Sequence, residues 1–104
     1  MIVSQYDLGV KATNALRSQF GTVYRVGSST NLLGAAAGAT DDWGKSKGMT
    51  KYSYTVELRP ASGGGSGFIL PPAQIIPSGI ETLQAIIVVI DHIYAEYGPF
   101  LTDV

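Results

Sequence analysis

The stretch KYSYTVELRP, Lys51 to Pro60, alternates apolar and polar side chains and carries a carboxylate, Glu57, and a guanidinium, Arg59, toward its far end. Tyr52, Tyr54, Val56 and Leu58 fall on one face, and Ser53, Thr55, Glu57 and Arg59 on the other. This is the two-residue period of a half-buried strand. Two readings of the charges are open. Either they decorate a wet edge, or the strand delivers a reactive carboxylate into a cleft. In open α/β sheets ligands bind beyond the carboxyl ends of strands, and Glu57 stands near such an end. A carboxylate there could take a proton from a metal-bound water, whose pKa the metal has already lowered.

The other chemistry-bearing residues read more plainly. Asp41 and Asp42 follow Thr40 and precede Trp43, an arrangement that suits the acidic first turn of a short helix. His92 is the single histidine; it lies beside Asp91, off the main apolar stripe of its helix, and reads as a half-exposed structural residue. With one imidazole and no thiol, a zinc site made from this chain alone would need carboxylates for the rest of its ligands, which is unusual. The glycines of Gly63 to Gly67 are not followed by Lys-Ser/Thr, so they do not form a phosphate cradle. No Ser-His-Asp set is defensible around a lone histidine.

Several elements must position these groups. Asp7 can cap a helix whose stripe is Val10, Ala12, Ala15, Leu16 and Phe20, and Gly21 can close it. A short strand is expected at Thr22 to Val26, followed by a loop of small residues from Gly27 to Ala39. Pro60 to Gly67 reads as a long glycine-rich loop. Ser78 and Glu81 form a capping box after Pro77. Ile80, Leu83, Ile87, Ile90, Tyr94 and Tyr97 then recur at helical spacing, widened by Ile86 and Ile93, until Gly98-Pro99. This face is wide enough to pack on a sheet. One clear strand and a second short one do not supply that sheet. The order of elements predicts an α/β architecture in which helices flank an incomplete sheet.

The whole chain sets the bounds. Its 104 residues suffice for one domain with a modest core. Apolar residues make up 45% and charged ones only 14%, so part of the surface is expected to be covered by something else. Net charge is −1 with both signs dispersed, which argues against nucleic acid and anionic membrane as partners. There is no cysteine, which excludes disulfides, thiolate metal sites and a thiol nucleophile. The start, MIVSQYD, is too short an apolar run for a signal peptide. The longest apolar run, Ala85 to Ile90, falls well short of the ~18 residues of a membrane span.

Four blocks, in order and at similar spacing, resemble one family: GATDDW (Gly38 to Trp43), KYSYTVELR (Lys51 to Arg59), GFILPPAQIIP (Gly67 to Pro77) and the ETL that opens the last helix. They look like the C-terminal part of the zinc metallocarboxypeptidases of the digestive A/B type, from about Leu8 to about Tyr97. The resemblance implies that residues 1–104 are the C-terminal part of a mixed-sheet α/β domain roughly three times as long, flanked by helices. It implies zinc-dependent hydrolytic removal of C-terminal residues from peptides and proteins, in an extracellular setting. In that pattern Glu57 is the general base, later passing the proton to the leaving amine. Asp41 sits at the bottom of the specificity pocket, which implies a preference for Lys or Arg, because a buried carboxylate pairs with a cation and is costly without one. Leu33 and Thr55 match pocket-lining positions, and Phe68 matches an aromatic beside the site.

The departures are equally specific. The family's zinc ligands, a His-x-x-Glu pair and a later His, fall before Met1 in the match, as do the residues that grip the substrate carboxylate. Zinc is therefore expected as the family's cofactor, with no ligand from this chain. NLLGAAAG (Asn31 to Gly38) puts Gly34 where the family has a mobile tyrosine, and the Pro60 to Phe68 loop is longer and richer in glycine. Two functional classes follow. The chain is a piece of an enzyme, predicted inactive by itself, or it is a truncated, inactive paralogue acting through an interaction, with a complementary N-terminal fragment as one partner.

Overall fold

A computed structural model of the chain describes residues 4–28, 31–32, 43–44, 50–60 and 69–101, the last three as backbone only. Two long helices dominate these residues. Helix α1 spans Gln5–Phe20. Its N-cap is Ser4 rather than Asp7: the Ser4 hydroxyl accepts a hydrogen bond from the Asp7 amide at 3.1 Å, and Asp7 instead lends its charge to the first turn. Gly21 closes the helix in the left-handed conformation (φ 78°), its N–H donating to the Arg17 carbonyl at 2.8 Å.

Helix α2 spans Ile75–Leu101, preceded by a 3-10 turn at Pro72–Gln74. It begins three residues before the expected capping box and runs through Gly98-Pro99. Pro77 fits because it falls in the first turn, where backbone N–H groups have no intrahelical partner to lose. Ser78 and Glu81 consequently lie inside the helix, both buried, and do not cap it.

The helices pack against each other, and Leu8, Ala12 and Leu16 of α1 form the buried apolar core among the described residues. The α2 residues facing inward are Glu81, Ala85, Val88, His92 and Glu96, at helical spacing. The stripe expected to pack, Ile80, Leu83, Ile87, Ile90, Tyr94 and Tyr97, is instead exposed. By length and composition alone α2 is apolar enough to cross a membrane, over Pro72–Gly98, which no short apolar run in the sequence indicated. Three carboxylates and an imidazole, Glu81, Asp91, Glu96 and His92, interrupt that stretch, and two of the carboxylates carry ion pairs across to other segments.

The expected α/β sheet is not found: among the described residues there is no strand. Residues 51–58 and 22–26 have no regular helical structure, yet among the described residues no backbone ladder joins either to a neighbour. The reason is physical. A strand is defined by a partner that takes its N–H and C=O groups, and alternation of side chains cannot supply one. Here the alternating segment is held through its side chains, against helices.

Candidate functional site

The segment 51–59 lies along α2 and is fastened at both ends. At the Arg59 end, the guanidinium forms a forked pair with Glu81. Its Nε donates to Oε2 at 3.0 Å and its Nη2 donates to Oε1. Thr22 completes the cluster, donating to Glu81 Oε1 at 2.7 Å and accepting from Arg59 Nη2 at 3.1 Å. Glu81 is fully buried and Arg59 partly exposed (0% and 16% side-chain exposure), so the fork and the Thr22 hydroxyl replace the water that the Glu81 carboxylate gives up. The Arg59 hydrogen bonds hold the Glu81 carboxyl below the usual carboxylate range against the opposing effect of burial, with Thr22 assisting. The Arg59 pKa is raised by the same bonds.

At the other end Lys51 pairs with Glu96 Oε1, and the Tyr52 hydroxyl donates to Glu96 Oε2 at 2.6 Å. The same hydroxyl lies 3.2 Å from His92 Nε2, and the Tyr52 and His92 rings meet edge to face at 5.8 Å. Hydrogen bonding to Lys51, then to Tyr52, lowers the Glu96 pKa, and the bond to Glu96 raises that of Lys51. Between the two ends, Tyr54 donates to the Gln5 carbonyl at 2.6 Å, and the Gln5 side-chain amide donates to the Ser53 carbonyl. Tyr52, Tyr54 and Leu58 thus face the helices, with Leu58 on an apolar groove of about 490 Å³ along the first turns of α2.

Tyr54 to Leu58 are all exposed, Thr55 and Glu57 among them. Among the described residues Glu57 makes no hydrogen bond or ion pair. Asp41, Leu33 and Phe68, and Gly34 with them, lie outside the described residues. Of the expected site residues, Glu57 and Thr55 therefore share one face of one segment, and it is exposed rather than buried in a cleft. His92 is fixed by Tyr52 and by Glu96, 3.5 Å away one helical turn on. Among the described residues no three of His, Cys, Asp and Glu form a group able to hold a metal ion. Zinc does not fit the residues seen here, and the chemistry assigned to this chain is that of its own side chains.

The clamps at Glu81 and Glu96 escaped the sequence reading, which took Glu81 for a cap. The sequence shows a cation near each end of the alternating segment, Lys51 and Arg59, and carboxylates Glu81 and Glu96 in the last helix, but not which face of that helix turns inward.

Comparison with known proteins agrees with the arrangement of the motifs. The model of the zinc carboxypeptidase family matches residues 5–85, which include both α1 and the whole clamped segment. The chain is 48% identical to carboxypeptidase B of Astacus astacus, over 88% of this chain and 31% of that protein. It is 47% identical to carboxypeptidase O of Homo sapiens, over 88% of this chain and 24% of that protein. Against carboxypeptidase A1 of Rattus norvegicus the identity is 44%, over 83% of this chain and 20% of that protein. The chain spans between a fifth and a third of the length of these relatives. A family match over most of the chain, at identities this high, makes it a member of the zinc carboxypeptidases, a family whose cofactor is zinc.

Proposed function

We propose that this chain supplies the C-terminal part of an extracellular metallocarboxypeptidase domain, and that Glu57 is its proton-transfer residue in removing C-terminal residues from peptides. The observation that carries the reading is the presentation of Glu57. It is exposed on a segment pinned to α2 at both ends, within the stretch that matches the family. A carboxylate so placed can take a proton from an attacking water and return it to the departing amine, a role worth roughly 10²–10⁴-fold in rate. Asp41 is the selector, favouring substrates that end in Lys or Arg because an ionised carboxylate in a pocket demands a cation. Thr55 and Leu33 line the same pocket, and Phe68 is the aromatic beside the site. The exposed stripe of α2 supports the partial-domain reading: six large side chains in line are covered by the remainder of the domain, which the relatives' greater length would provide.

A chimera tests this. This chain replaces the matching part of Astacus astacus carboxypeptidase B, and hydrolysis is followed on peptides ending in Lys or Arg and in Phe or Leu. The expected result is turnover of the basic peptides, lost at least ~100-fold on Glu57→Gln, with Asp41→Leu reversing the preference. Unchanged activity after Glu57→Gln would remove the role assigned to that residue.

A further inference from the structure

The two clamps match in length. Glu81 and Glu96 lie fifteen residues apart on α2, about 22 Å at the helical rise. Their partners Arg59 and Tyr52 lie seven residues apart on the extended segment, about 23 Å at the rise of an extended chain. The segment runs antiparallel to the helix, Arg59 against the earlier carboxylate and Tyr52 with Lys51 against the later one. An extended chain spans that distance. The helix therefore acts as a splint that holds the segment at both ends.

We propose that Glu81 and Glu96 are positioning residues, which fasten residues 51–59 along α2 and so set where the Glu57 carboxylate is presented. The catalytic half of this inference rests on the proton-transfer role of Glu57; the mechanical half does not. Arg59 is two residues from Glu57, about 7 Å along the chain, so the forked bond to buried Glu81 leaves the carboxylate little freedom to swing. Releasing that bond lets the segment slacken and Glu57 wander from any fixed partner. Thr22 belongs to the same device, since its hydroxyl bridges Arg59 and Glu81.

Two measurements separate the halves. The chain has no cysteine, so nitroxide labels at Glu57→Cys and Ile90→Cys report their separation without background. One narrow distance distribution is expected in the otherwise unaltered chain. Glu81→Gln, Glu96→Gln and the milder Arg59→Lys, which keeps the charge but loses the fork, should each broaden it. A distribution that stays narrow in all three overturns the splint, even if their melting temperatures fall. In the chimera, Glu81→Gln should lower kcat about tenfold, since small misplacement of a reacting group is costly, with KM changed less than about twofold. A wild-type kcat for Glu81→Gln, beside an inactive Glu57→Gln, overturns the positioning role while leaving the proton-transfer role intact. Broadened distances with an active Glu57→Gln do the converse: the splint stands and Glu57 loses its assignment.

Discussion

Glu81 and Glu96 are both acidic residues of one helix, yet they hold charge in different surroundings. Glu81 is fully buried and keeps its charge because a guanidinium fork and a hydroxyl replace its water; Glu96 is partly exposed, at 17%, and meets Lys51 and Tyr52. Both carboxyl pKa values are depressed below the ordinary 4.5. A group whose pKa is lower in the folded state stabilises the fold above its unfolded pKa, and that contribution fades as pH falls through the folded value. Lys51, from an ordinary 10.5, and Arg59 shift the opposite way, upward, so their share is complete below the unfolded value of each and is lost as pH rises through the folded one. Stability should therefore be level between about pH 5 and pH 10, fall below about 4.5 and fall again above about 10.5. Urea denaturation across pH checks this. In Glu81→Gln the acid limb should flatten, because one of the two depressed carboxyls is gone. The proposed roles of Glu57 and Asp41 rest on motif identity alone. The clamp glutamates were not, because their role depends on a partner twenty or more residues away.

At the scale of elements, both helices were legible from periodicity, and of their ends only the close of α1 was. Gly21 closes α1 as expected, since a left-handed C-cap is a local property of one residue. The Ser78/Glu81 signature misled because the same spacing that makes a capping box also puts Glu81 on the inward face one turn later. Two glycines make opposite predictions here. A side chain at Gly9 would bring its Cβ to 3.1 Å from Val26 Cγ1 and 3.4 Å from Tyr54 Cε1, so α1 approaches its neighbours closely at that point. Gly9→Val should lower stability by roughly 2 kcal/mol through overpacking. Gly79, inside α2, has nothing within 4 Å of such a Cβ. Gly79→Ala should raise stability by roughly 0.5–1 kcal/mol through helix propensity and unfolded-state entropy. Thermal or urea unfolding of the two variants, read by circular dichroism, should move in opposite directions.

The whole molecule shows its two faces most clearly along α2. Its inward stripe carries both clamp carboxylates and His92, and its outward stripe is almost entirely aliphatic and aromatic. An exposed apolar band of this length is costly in water and drives association. The isolated chain should associate as its concentration rises, and Ile87→Lys with Ile90→Lys should restore a monomer by light scattering without loss of helix content. The amino-acid sequence by itself determined the family, the two helices, the alternation of residues 51–59 and the identity of the proposed catalytic carboxylate. Each of these rests on local periodicity or on a motif. The α/β sheet it also implied is absent among the described residues, since a sheet exists only when separate segments exchange backbone hydrogen bonds. Only the tertiary structure decided which stripe of α2 turns inward and that ion pairs hold both ends of the alternating segment. Those outcomes depend on distances between residues far apart in the chain, and no local pattern encodes them.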